Sequence, residues 1–376
     1  MAILLFGLTL IVMLSLLGGS NYYLAHRLWR WMRCFAPNLS IWVPLSLVAA
    51  LTVMMFLSIA RPFGGRLQRI ISGIGTCWMG LFVYLLLFFL AADLIVLIVG
   101  LFKPQLDLRT AAGMAATALA VLVSLLGIWN ATRLHTVNYS VALSEQPTAR
   151  MNVVLISDVH LGAVGSEARL EKIVDRVNEL QPDLVCIAGD FFDNDYRSIS
   201  DPEKAIETLR RIRSTHGVYA CLGNHDAGAS YPQMEAFWEQ AGIKLLKDDY
   251  TVIDGNLILA GRLDPSPIGG TDGSRRGDLS AVLEGADPSL PVIMLDHNPA
   301  SVDTYEGEAD LILSGHTHKG QIFPGALITN AMYTVDYGYY RAENGTQVIV
   351  TSGAGTWGLP MRIGTNCEVV AIDLEY

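Results

Sequence analysis

Two rhythms of apolar residues divide this chain. The first third carries four long apolar runs, at about residues 2–18, 41–60, 78–102 and 111–129. A membrane-spanning helix needs about 20 apolar residues, within a range of about 17–25. The middle two runs meet that length easily, the fourth meets it without a charge, and the first is marginal. No Lys or Arg precedes the first run and three more follow it, so it reads as a retained span rather than a cleaved leader. From Met151 onward the apolar runs are short: Val153 to Ile156, Leu184 to Ala188, Tyr219 to Leu222, Val292 to Leu295 and Leu311 to Leu313. Bounded by Gly, Ser and Asp, these have the length of buried strands.

Between the short runs the period becomes helical. Leu170, Ile173, Val174 and Val177 share one face of Glu167 to Leu180, and Ala205, Ile206, Leu209 and Ile212 share one face of Pro202 to Ile212. Strands alternating with helices predict an α/β fold of packed layers. The expected organisation is a transmembrane region over 1–132, a linker with a first edge strand over 133–150, and one globular domain over 151–376.

Composition sharpens this division. The chain is 51% hydrophobic with a mean hydropathy of +0.37, too apolar for an ordinary soluble protein, and the excess lies in the first part. Residues 1–150 carry ten Lys and Arg against three acids, +7, and residues 151–376 carry 16 against 33, −17, which together make the net −10. With so acidic a globular part and no basic stripe, nucleic acid is not an expected partner. The glycine-rich Gly353 to Gly358 lacks the phosphate-loop fingerprint of an ATPase.

The chemistry sits at the strand ends. Each short run leads into polar residues: Asp158 and His160, Asp190 and Asp193, Asn224 with His225 and Asp226, His297, then His316 and His318. In layered α/β folds ligands collect where strand ends meet. Asp158, His160, Asp190, Asn224, His297, His316 and His318 mix carboxylate, carboxamide and imidazole without thiolate, a set suited to Mn, Fe or Zn with open positions. Seven donors exceed the needs of one ion, so two divalent ions about 3.5–4 Å apart, bridged by a carboxylate, are expected. Such a pair generates hydroxide at neutral pH and clamps the oxygens of an in-line displacement at phosphorus. His225, with Asp226 beside it in sequence, is either a further ligand or an acid that assists a leaving alcohol. Asp193 reads as a partner that orients a ligating histidine, or as a loop cap.

The motifs Asp-x-His, Gly-Asp-x-x-Asp, Gly-Asn-His-Asp, a lone His after a strand and Gly-His-Thr-His, in that order, resemble the calcineurin-like metallophosphoesterases from about Met151 to the C-terminus. Gly315 to Gln321 and the tail Ser352 to Arg362 are most similar to the bacterial membrane-anchored branch. The resemblance implies an αββα sandwich. It implies Asp158, His160 and His318 on a first metal, Asn224, His297 and His316 on a second, and Asp190 between them. It also implies that His225 stands by the leaving group, steered by Asp226.

The expected activity is therefore phosphoester hydrolysis by a membrane-anchored, dinuclear metal enzyme on a lipid-linked or small phosphodiester or monoester. The alternative is a membrane receptor or regulator that binds a phosphorylated ligand without turnover. Arg262, Arg275, Arg276, Lys319 and Arg362 are the cations available to an anionic substrate, with Arg362 foremost, unless it is tied into a structural salt bridge. Membrane lipids are expected partners, and His26 to Arg33, rich in Arg and Trp, reads as a headgroup anchor between the first two spans. Asp93, inside the third run, has no second charge deep in any span and reads as a helix-end or helix-to-helix contact. The protein is expected in the cell membrane. The loop cations count five against five and are silent on orientation, whereas five cysteines, an odd three of them in the globular part, favour a reducing, cytoplasmic side.

Overall fold

A computed structural model describes residues 2–63, 65–305 and 307–376 and resolves two compact units, Met1–Gly127 and Ile128–Tyr376. Four helices open the chain: α1 (Ala2–Met32), α2 (Trp42–Ala60), α3 (Gly65–Phe102) and α4 (Arg109–Ala131). All four are long and apolar enough to cross a membrane. Two are longer than their apolar runs. No Gly or Pro interrupts residues 20–32, so α1 continues through His26 to Met32, where a loop was expected. Likewise α3 begins at Gly65, 13 residues before Trp78.

Within the first unit polar contacts join helices that are otherwise apolar. Thr52 Oγ1 donates to Asn21 Oδ1 at 2.8 Å, and Trp78 Nε1 donates to Thr52 Oγ1 at 3.2 Å, which links α1, α2 and α3. Gly75 lets α3 approach the backbone of Met54, since a Cβ there would stand 2.8 Å from the Met54 carbonyl carbon. Asp93 is not without a charged partner, as its sequence surroundings implied. Arg27, once α1 continues as helix, pairs with it, and Tyr23 donates to its other oxygen at 2.7 Å.

The second unit is built from two six-stranded sheets. Its strands are β1 (Leu134–Ala142), β2 (Arg150–Ile156), β3 (Leu184–Ala188), β4 (Val218–Cys221), β5 (Lys244–Leu245), β6 (Asp249–Ile253), β7 (Leu257–Gly261), β8 (Val292–Leu295), β9 (Leu311–Ser314), β10 (Gly338–Arg341), β11 (Gln347–Val350) and β12 (Cys367–Glu375). One sheet has the order β1-β12-β2-β3-β4-β5 and the other β10-β11-β9-β8-β7-β6. The edge strand expected before residue 150 is β1, parallel to β12.

Alternation along the strands makes the layers. Val153 and Leu155 of β2 join Leu184, Cys186, Leu257, Leu259, Ile293 and Leu313 between the sheets. Val154 and Ile156 face the other way, onto α5 (Ser166–Glu179), α6 (Pro202–Leu209) and α7 (Tyr231–Ala241). The second sheet turns Met294, Ile312 and Val348 outward beneath Val282 of α8 (Leu279–Val282) and Tyr305. The result is the αββα order. The anticipated faces of α5 and α6 are buried, although α6 stops at Leu209, three residues early. Pro202 opens α6, and Asp201 caps it by accepting from Lys204 N at 3.0 Å. Strands β2, β3 and β4 are mutually parallel, as are β7, β8 and β9, and the carboxyl ends of both sets meet at one rim.

Candidate metal centre

That rim gathers the polar strand ends. Asp158 follows β2, Asp190 follows β3, Asn224 and His225 follow β4, His297 follows β8, and His316 and His318 follow β9. Asp158, His160 and His318 form one cluster, and Asp190, His297 and His316 form a second, each with its donor atoms within 4.8 Å of one another. Asp190 joins them: its Oδ2 lies 3.1 Å from His297 Nε2 and 4.0 Å from both His160 Nε2 and His225 Nε2. Asn224 belongs to the second cluster, its Oδ1 standing 2.9 Å from His316 Nδ1.

The backbone accepts strain to do this. Asp158, His160, Asp190, His316 and His318 all have positive φ, between 48° and 70°, a region costly for residues with a Cβ. Such conformations persist only where the surroundings hold them, and here glycines allow the loops to interlock. A Cβ on Gly315 would collide with Ser157 and Asp158, and one on Gly223 with Asp190. The glycines of Gly-Asp-x-x-Asp, Gly-Asn-His-Asp and Gly-His-Thr-His are thus required by close approach.

The nitrogens are aimed by their outer neighbours. His297 Nδ1 donates to the Ala188 carbonyl at 2.8 Å, which turns Nε2 towards Asp190 and, at 3.2 Å, His316 Nδ1. His160 Nε2 faces His318 Nε2 at 3.1 Å. Asp158 accepts from Ser157 Oγ at 2.6 Å and from His316 N. Burial presses His160 and His316 down to about 4, and burial together with Arg362 holds His318 well below its ordinary value. Burial also works against a proton on His297, but Asp190, which hydrogen-bonds it, and Asp158 overcome this and raise it well above the usual range. Asp158 is lifted to about 6 by burial and by Asp190. Burial acts likewise on Asp190, yet His297, His160 and His225 hold it ionised, below the ordinary carboxylate range.

The neutral His160 and His318 point Nε2 at each other at 3.1 Å beside the ionised Asp190, a convergence of donors that a bound cation would satisfy. The donor set of the centre fits divalent transition ions, and the thiols that would argue for structural zinc, Cys186 and Cys221, are buried in β3 and β4.

Residues 151–320 match the family model of calcineurin-like phosphoesterases. A metallophosphoesterase of Aquifex aeolicus is 30% identical over 64% of this chain and 92% of its own length. This chain belongs to the calcineurin-like phosphoesterases. A Helicobacter pylori metallophosphoesterase is 30% identical over 60% of each chain. A Danio rerio transmembrane protein with a metallophosphoesterase domain is 33% identical over 60% of this chain and 53% of its own length. The chain thus spans somewhat over half the length of these two relatives.

In this calcineurin-like phosphoesterase two sequence readings change. Asp226 does not steer His225. Its carboxylate accepts from Phe192 N at 2.8 Å and Gly223 N at 2.9 Å, and it holds the β3 and β4 loops together; burial, reinforced by Asp190, raises it to about 7. The partner of His225 is Asn194, whose Oδ1 lies 2.8 Å from Nδ1, a residue with no motif of its own in the sequence. Arg362 does not await a substrate. It is buried against the metal loop, within 3.0 Å of both the carbonyl and Nδ1 of His318 and 2.6 Å of the Gly355 carbonyl.

Two other proposed phosphate cations are also engaged. Arg262 donates to Asp248 at 2.9 Å, and Arg276 forks onto Asp296 at 3.0 and 2.6 Å. Arg275 is exposed, and Lys319 lies over the Tyr337 ring at 3.9 Å. Asp193 stands 3.7 Å from His160 Nδ1, longer than a hydrogen bond but facing that nitrogen, which has no hydrogen-bond partner among the described residues.

Proposed function

We propose that this phosphoesterase is a membrane-anchored phosphohydrolase that works with two divalent ions on a membrane-borne phosphoester. The observation that carries this reading is Asp190 reaching histidines of both donor clusters, with His225 directed at the same carboxylate. Asp158, His160 and His318 would hold one ion and Asn224, His297 and His316 the other, with Asp190 shared. Two such ions, when bound, supply Lewis acidity and an activated water at neutral pH. The protein's own part is orientation and proton handling. Asn194 Oδ1 accepts a hydrogen bond from His225 Nδ1–H, so that Nε2 faces the site and, in the imidazolium form, would donate its own proton to the departing alcohol oxygen. The buried clusters keep bulk water from competing with the aligned one.

The membrane part rests on four helices of spanning length and on the transmembrane relative. An anchor concentrates only substrates that share its surface, so a lipid-borne phosphate is the economical substrate class. The test is hydrolysis of bis(p-nitrophenyl) phosphate by the purified full chain with Mn²⁺. Activity that Asp190→Ala and His225→Ala each abolish supports hydrolysis. A metal-loaded, folded protein without turnover would instead identify a binding protein.

A further inference from the structure

The hydrolase domain has one outer surface out of keeping with its charge. Residues 151–376 carry −17, yet 320–335 and 353–361 contain no Lys, Arg, Asp or Glu. These two stretches expose Phe323, Leu327, Ile328, Met332 and Trp357, each more than half accessible. Helix α9 (Gly325–Met332) buries none of its residues. Large apolar side chains this open on a globular unit mark a surface that meets something apolar.

The two stretches form one surface. Gln321 Nε2 donates to the carbonyls of Trp357 at 2.8 Å and Leu359 at 3.0 Å, and Trp357 N donates back to Gln321 Oε1 at 2.8 Å. Phe323 N donates to Ile363 O at 2.9 Å. The surface also borders the metal centre. Gln321 is three residues from His318, α9 packs where a Cβ on Gly320 would strike Ala326, and the Trp357 ring lies 5.8 Å from that of His225.

The occupant follows from what this surface is fastened to. Asn130, next to last in α4, donates to the carbonyls of Arg362 at 3.1 Å and Thr365 at 2.9 Å, on either side of the Ile363 that pairs with Phe323. Trp129, with Arg133 stacked over it at 4.7 Å, is the aromatic and cation pair of a span leaving a bilayer. The apolar surface is therefore continuous, through one hydrogen-bonded strip, with the end of a membrane span. Its lack of charge removes the repulsion an acidic domain would meet at an anionic leaflet.

We infer that α9, Phe323 and Trp357 seat in the bilayer as a rim of the metal centre, so that its substrate is a phosphoester of a membrane amphiphile with hydrocarbon chains against this rim. The inference rests on the hydrolase reading for its substrate and on the surface alone for its membrane seat. The two are tested separately, with the full chain in phosphatidylglycerol vesicles.

An environment-sensitive fluorophore on Ile328→Cys, with Cys34 and Cys77 replaced by Ser, is expected to be quenched by acyl-brominated lipid, and one on Glu207→Cys to stay unquenched. Hydrolysis of hexadecyl p-nitrophenyl phosphate in the vesicles is then compared with that of soluble methyl p-nitrophenyl phosphate. The double variant Leu327→Asp, Ile328→Asp should lower turnover of the hexadecyl ester by about tenfold or more, the scale of burying one or two large apolar side chains. It should leave the methyl ester within about twofold, as exposed substitutions do. An unquenched label at 328, or equal loss on both esters, overturns the inference. If the wild-type chain hydrolyses neither ester, the hydrolase reading falls, while the quenching still decides the membrane seat.

Discussion

His225 and Asn194 form a pair, Nδ1 to Oδ1 at 2.8 Å, that fixes which edge of the imidazole faces the metal centre. A carboxamide oxygen accepts a hydrogen bond from Nδ1–H without adding charge, so Nε2 faces the centre and, when the ring is an imidazolium, is the atom that gives its proton to a leaving group. Asn194→Ala should lower kcat by about tenfold to a hundredfold, less than the ~10²–10⁴ that loss of a general acid costs, with KM little changed. Asp226→Ala should act differently. It strips two buried amides, Phe192 N and Gly223 N, of their acceptor and should cost about 1–3 kcal/mol for each, read as a lower melting temperature. A kcat loss in Asp226→Ala without loss of stability would contradict this division.

Arg362 fixes the far side of His318. Its planar fork reaches the His318 carbonyl, His318 Nδ1 and the Gly355 carbonyl at once, a geometry a lysine ammonium cannot reproduce. Both Arg362→Ala and Arg362→Lys are expected to weaken metal binding by about 10–100-fold, the usual cost of losing a ligand's outer partner. Calorimetric titration of the apo-protein measures it. Unchanged metal affinity with a raised KM would return Arg362 to the substrate.

The ion pair between Arg27 and Asp93 makes a prediction about the membrane unit. Removing one partner leaves an unpaired charge among apolar helices and destabilises them, whereas removing both can be nearly neutral. Arg27→Leu should therefore lower the melting temperature in detergent, and Arg27→Leu with Asp93→Leu should restore most of it. Failure of the double variant to recover would assign the pair a role beyond helix packing.

Metal loading must displace protons. His297 Nε2, 3.1 Å from Asp190 Oδ2, is held well above its ordinary range by that carboxylate despite burial, so the ring is an imidazolium at neutral pH; His160 and His316, at about 4, are neutral. A cation entering the second cluster has to expel the His297 proton, so affinity rises with pH and falls as the solution is acidified. Titration of apo-protein near neutral pH in buffers of different ionisation enthalpy should show release of about one proton for that ion. Loading without proton release would contradict the arrangement.

Much of this was legible in the chain because its causes are local. Buried strands read as short apolar runs, and their ends as Gly or Ser followed by Asp, Asn or His, so the residues that meet at the rim could be named from sequence. The αββα layers follow from alternation in β2 and from the apolar faces of α5 and α6. What escaped depends on contacts distant in the chain. Asn194 lies in an unremarked loop and meets His225 only when the β3 and β4 ends close together. Asp226 misleads by adjacency, since its side chain turns to backbone amides and away from the neighbouring imidazole. Arg362 reads as a free cation after a glycine run until the metal loop folds against it. The apolar runs of α1 and α3 underestimate helix length because a helix does not stop where its side chains turn polar.

Two ions sharing Asp190 are the centre of the proposed chemistry, and counting them tests it most directly. Elemental analysis of the purified full chain, reconstituted with excess Mn²⁺ and desalted, should give two ions per chain, and fewer in Asp190→Asn under the same treatment, with circular dichroism showing the fold retained. One ion per chain in the wild type, or an unchanged two in Asp190→Asn, would contradict a shared dinuclear centre.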